Sequence, residues 1–132
     1  MRIRFVALAL LVVASACQPA IGDDCNSSVD CAPNGGRICD LASPGGYCTI
    51  QGCDPNGCPE SALCVEWLYE QNRTSTTYCM EKCSNSSDCD RNGYRCVREG
   101  DPELMTADGE SLARVTDFDG RADNGFCAYV AD

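Results

Sequence analysis

The sequence predicts a small disulfide-rich fold, mostly β-hairpins and coil, arranged as three tandem four-cysteine modules after a signal-peptide helix. Three observations carry that expectation. Twelve cysteines follow Cys17, about one residue in ten, which is the density of a disulfide scaffold. They fall into three sets with the same order of gaps. Residues 17–132 also hold only 15 Leu, Ile, Val and Phe, too few for ordinary apolar burial to fold a strongly charged chain.

The first set is Cys25, Cys31, Cys39 and Cys48; the second is Cys53, Cys58, Cys64 and Cys79; the third is Cys83, Cys89, Cys96 and Cys127. Across the three sets the first gap is five, four and five residues, and the second is seven, five and six. Only the third varies widely, at eight, fourteen and thirty. The modules are therefore taken as 25–48, 53–79 and 83–127, with short linkers at Thr49–Gly52 and Met80–Lys82 and a long loop over 97–126. Residues 17–24 form a tether.

An aromatic residue precedes each closing cysteine: Tyr47, Tyr78 and Phe126. The first and third modules also match in detail. Asp30-Cys31 recurs as Asp88-Cys89 after an Asn/Ser-rich stretch, and Asn34-Gly35 recurs as Asn92-Gly93, three residues past the second cysteine. This is an internal repeat of one supersecondary unit. Asn-Gly tolerates positive φ at both positions and marks tight turns. Tyr94 to Arg98 and Phe126 to Val130 alternate and carry β-formers. Each module thus reads as a turn-rich coil followed by a β-hairpin whose loop is the third gap. Four cysteines allow three pairings within a module, and pairing between modules is also open. First with third and second with fourth is the pairing favoured here.

The N-terminus has its own signature. Arg2 and Arg4 precede an apolar run from Phe5 to Val13, followed by Ala14, Ser15 and Ala16. A basic start, a short apolar stretch and a small-residue cleavage site make residues 1–16 a signal peptide. The apolar run is far shorter than the roughly 20 residues a membrane-spanning helix needs. Export agrees with the cysteine content, because thiols pair outside a reducing cytosol. Without residues 1–16 the chain carries 8 basic and 20 acidic side chains, a net charge of −12. Nucleic acid is excluded as an expected partner, since a phosphate backbone is bound through Lys and Arg.

Thirteen cysteines is an odd number, so one of them is set apart from the pairing. Cys17 directly follows Ala14-Ser15-Ala16, and here the chain resembles a bacterial lipoprotein, whose cysteine at this place receives diacylglycerol. Ala14 stands where that family usually has Leu, Val or Ile, and Ala-Ser-Ala also suits ordinary signal peptidase. The resemblance implies lipidation at Cys17 and a membrane as partner through the lipid. Gln18 after the cysteine resembles lipoproteins sorted to the outer membrane. The expected location is thus the outer membrane or cell surface, with a periplasmic or secreted chain as the alternative. With its runs of cysteine among Asp, Gly and Asn, the whole chain resembles the short Cys-rich lipoproteins of myxobacterial type.

No residue set amounts to an active site, and the chain is expected not to be an enzyme. Histidine is absent, which removes the commonest general base and every Ser-His or Cys-His pair. No cofactor is expected, with calcium the one candidate. Asp88, Asp90, Asn92 and Glu99 satisfy the loop pattern D-x-[DN]-x-[DN]-G-x5-E. The plainer reading is an Asx/Gly turn, because Arg95 replaces an aliphatic residue and the first module has Ala32 and Leu41 where carboxylates are needed. Asp117, Asp119 and Asp123 with Asn124-Gly125 form a second acidic stretch of the same kind. Zinc is disfavoured because thiolates in an oxidising compartment pair with one another.

Binding is the expected task. Trp67 and Tyr69 lie in the richest apolar cluster, and such residues dominate binding hot spots. The structural alternative is that a chain this poor in apolar residues buries its single Trp. The reading taken is a scaffold presenting loops 65–78 and 97–126 to an unknown protein or glycan partner. The alternative is a soluble secreted effector, such as a small protease inhibitor or toxin-like ligand. Asn26, Asn72 and Asn85 head glycosylation sequons that have meaning only in a eukaryotic secretory pathway.

Overall fold

A computed structural model describes residues 18–68, 75–119 and 123–131. Cys17, Tyr69 and the sequon at Asn72 lie outside the described residues. The fold is β-strands and coil with one short helix, tied by six disulfides.

Each set of cysteines closes on itself. The bridges are Cys25–Cys39 and Cys31–Cys48, Cys53–Cys64 and Cys58–Cys79, and Cys83–Cys96 and Cys89–Cys127. First joins third and second joins fourth, three times over. Cys31, Cys48, Cys64 and Cys79 are wholly buried, and with Tyr47, Leu63, Val65 and Phe126 they are among the largest fully buried side chains. The bridges therefore do not merely staple a core; they make up much of it, replacing the aliphatic residues the sequence lacks.

The repeat shared by the first and third modules is a capping turn. Helix α1 (Ser28–Cys31) follows Ser27, and a 3-10 turn at Ser86–Asp88 follows Asn85. The Asp30 carboxylate accepts from the backbone N–H of Asn26 and Ser27, and Asp88 does the same with Ser84 and Asn85. Those amides hold both carboxyls below the ordinary aspartate range. One residue type repeats because one pair of orphan N–H groups must be satisfied. The hydroxyls of Ser28 and Ser86 likewise accept from the N–H of the third cysteine, Cys39 and Cys96.

The hairpins form as the spacing predicts in the first two modules. β1 (Ile38–Cys39) pairs with β2 (Cys48–Thr49), and β3 (Ala62–Trp67) pairs with β4 (Thr76–Cys83) with Cys64 opposite Cys79. The first turn back is tight enough to need glycine. Gly46 has φ +72°, and a Cβ there would stand 2.0 Å from the Cys25 carbonyl oxygen.

Three expectations need correction. The modules are not separate units, because β4 carries both the closing Cys79 of the second and the opening Cys83 of the third. The stretch Met80–Lys82, expected as a linker, lies within that strand. The other linker is also fixed: Gly52 N–H donates to Thr77 O and Cys79 N–H to Ile50 O. Lastly, residues 97–126 are not a free loop. They contain a 3-10 turn (Pro102–Leu104) and β6 (Ala113–Val115), which returns to the second module and pairs antiparallel with β3, Val65 facing Val115. Leu104 and Ala113 are buried there.

The third module's own pairing is β5 (Tyr94–Val97) against β7 (Gly125–Tyr129), with Cys96 opposite Cys127. β7 also pairs with β4, so the five-stranded order is β5-β7-β4-β3-β6. At that joint Gly125 faces Cys83, and a Cβ on it would meet Cys96 Sγ at 2.6 Å. The first module docks on this sheet through Tyr47. Its buried hydroxyl donates to Cys127 O at 3.1 Å and accepts from Glu81 N–H at 2.9 Å. Tyr47→Phe leaves both groups unpaired in the interior and is expected to destabilise the protein by about 1–3 kcal/mol. A urea unfolding midpoint lowered at unchanged slope is the check.

Candidate functional site: an aromatic cleft at the junction of the modules

The candidate calcium ligands Asp88, Asp90 and Glu99 do not form a ligand cluster. Asp88 is committed to its own turn, and the Glu99 carboxylate accepts from Val115 N–H on β6. Among the described residues, every group of three His, Cys, Asp or Glu with ligand atoms within 4.8 Å consists of bridged cysteines. The shared Asp is a cap, as the repeat with Asp30 suggests. In the second acidic stretch, Asp117 is buried and accepts from the backbone N–H of Asn56 and Cys64. Phe118 N–H donates in turn to Asn56 Oδ1, whose residue sits at φ 60°. That carboxylate ties the Cys53–Cys58 turn to β3, while Asp123 is exposed.

The segments expected as presented loops are strand in part, and residues at their bases come together. A cleft of about 290 Å³ opens where the three modules meet. The first module lines it with Asp40, Ser43, Pro44 and Tyr47, the second with Trp67 and Tyr78, the shared strand β4 with Met80, and the third module and the end of β7 with Tyr94, Leu112 and Tyr129. Four of the chain's five tyrosines and its single tryptophan share this one concavity.

Its floor is rigid. Tyr47 stacks on Tyr94 at 5.8 Å between ring centroids, and Tyr94 meets Tyr129 edge-on at the same distance. The Arg91 guanidinium lies 4.2 Å from the Tyr94 ring centre and donates to the carbonyls of Gly22 and Pro44, so it fastens the first module to the stack. Tyr94 OH also donates to Pro44 O. Trp67 is half-buried, edge-on to the buried Phe126, and lines the cleft. At the rim Tyr129 is 44% and Leu68 41% exposed.

Burial raises the phenol pKa values of Tyr47, Tyr78 and Tyr94, and the Asp40 carboxylate adds to the rise at Tyr78 and Tyr94. Those three phenols are thus neutral at ordinary pH, and among the described residues Asp40 is the only charged side chain lining the cleft. Its oxygens accept from Ala42 N–H and Ser43 Oγ–H, which hold it in place.

Sequence reasoning singled out Trp67 but not Asp40, Tyr94 or Tyr129. The aromatic residue before each closing cysteine was the available signal for Tyr47 and Tyr78. Such a cleft, apolar-walled with one fixed charge, can bind a small ligand. No known family, curated protein or solved structure matches this chain.

Proposed function

We propose that this is an exported binding protein, anchored to a bacterial membrane through an acylated Cys17, with the aromatic cleft as its binding site. The observation that carries the anchor is the pairing: all twelve later cysteines are consumed in six bridges, so no thiol of the chain remains for Cys17. No helix of the described residues is long and apolar enough to cross a membrane, and a lipid supplies attachment without one. The cleft supports the binding role, because a cross-linked frame holds its aromatic walls in place before any ligand arrives. Preorganisation of this kind lowers the ordering cost of binding.

In bacterial cells, the full chain is expected in the membrane fraction and in the detergent phase on phase separation. Cys17→Ser should remain exported and move to the aqueous phase. A wild-type chain that is already aqueous and lipid-free would remove the anchor and favour a soluble secreted effector.

A further inference from the structure

Resting on the cleft as the binding site, we propose that its ligand is a small organic cation with an apolar body, of the quaternary ammonium class. Such a ligand would lie against the faces of Trp67, Tyr78 and Tyr129 with Asp40 as counter-charge.

Three features of the cleft select this class. The first is charge. Among the described lining residues only Asp40 is charged, and no Lys or Arg is among them. Arg91 stands against the tyrosine stack, but in the field of Glu81, Asp23 and Asp90, whose mutual repulsion adds to burial in raising the Glu81 carboxyl pKa. Carboxylates therefore outnumber the guanidinium around Arg91, on a chain of net charge −10. The second is the aromatic content: ring faces attract cations, and the same stack already seats the Arg91 guanidinium 4.2 Å from Tyr94.

The third feature is that four hydroxyls lining the cleft already give their protons to the protein. Thr49 Oγ1–H is given to Cys79 O, Tyr47 OH to Cys127 O, Tyr94 OH to Pro44 O and Ser43 Oγ–H to Asp40. Those four protons are not available to a ligand rich in hydroxyls, such as a sugar. A quaternary ammonium has no N–H to satisfy and is held by ring faces and a carboxylate alone. The volume of about 290 Å³ suits a small molecule rather than a folded partner.

The test uses the oxidised chain and its single tryptophan, Trp67, which lines the cleft. Its fluorescence is followed while choline or 3,3-dimethylbutan-1-ol is added, two compounds of the same shape that differ in charge. A saturable change with choline, at least about tenfold weaker with the neutral alcohol, is expected. Asp40→Asn keeps the acceptor for Ala42 and should weaken choline by about threefold or more while leaving the alcohol unchanged. Equal binding of the two compounds, or binding of a neutral oligosaccharide in place of choline, overturns the cation class and leaves the cleft as the site. If no small molecule of any of these classes perturbs Trp67, the cleft itself is lost as the binding site. Should Asp40→Asn fail to fold, the comparison of the two isosteres in the wild-type chain decides.

Discussion

Replacing Cys89 and Cys127 together by alanine is expected to destabilise the protein by roughly 4 kcal/mol, more than loss of any other single bridge. This bridge closes the longest stretch of chain, with a sequence separation of 38 against 11 to 21 for the other five. Chain-entropy reasoning gives roughly 4 kcal/mol for a loop of that length and roughly 3 for one of 11 residues. The bridge also does positional work: it fastens the capped turn at Ser86–Asp88 to β7, while the intervening segment leaves to build β6. With so few aliphatic side chains to compensate, a loss of this size removes much of the total stability of a small domain. Chemical unfolding of the double variant should show a midpoint well below that of Cys53→Ala/Cys64→Ala. Equal loss from the two pairs would mean that packing around the sulfurs, not loop closure, sets their contribution.

The second large effect is expected at Asp117. Its carboxylate is buried and accepts from Asn56 N–H and Cys64 N–H, two amides on different elements of the second module. Asp117→Ala strands both donors, one of them buried, and should cost about 3 kcal/mol. Asp117→Asn keeps one oxygen acceptor and is expected to recover part of that loss, since the hydrogen bonds to a charged acceptor are the stronger ones. Thermal unfolding of the two variants separates these outcomes. Because Asp117 follows β6, its loss should also loosen that strand on β3, seen as faster amide exchange at Leu68 and Thr116, whose N–H groups donate to Leu112 O and Cys64 O across that joint. An Asp117→Ala chain as stable as the wild type would place the residue in a solvated loop and remove its structural role.

Both predictions bear on the part of the fold that was hard to read in the sequence. The cysteine repeat was legible because a bridge constrains spacing directly, and the hairpin between Cys64 and Cys79 followed from a gap of suitable length. The return of β6 was not, because Ala113–Val115 is three residues long and its partner, Val65, lies some 50 positions away. A strand that short carries no period of its own. The thirty-residue gap therefore looked like a presented loop, although Leu104, Ala113 and Asp117 are buried.

The cleft was hidden for a related reason. Its rings come from three modules, and their convergence depends on β4 being shared between two of them. Three ordinary residues, Met80, Glu81 and Lys82, between two cysteines look like a linker, yet they are the strand that joins the sheet. The calcium-like pattern misled in the opposite direction. Its Asp88 satisfies local amides, and Asp30 does the same in a module that lacks the rest of the pattern. Comparing the two copies showed what was turn chemistry, which the loop pattern alone did not.

The central claim, a fully bridged frame attached through its one remaining cysteine, is tested most directly by the intact mass of the chain purified from bacterial membranes. The chain is alkylated with and without prior reduction. The account predicts a chain beginning at Cys17 with a diacyl or triacyl increment, no alkylation before reduction, and twelve alkylated sites after it. A lipid-free chain with one reactive thiol would contradict the anchor, and several sites alkylated before reduction would contradict the frame.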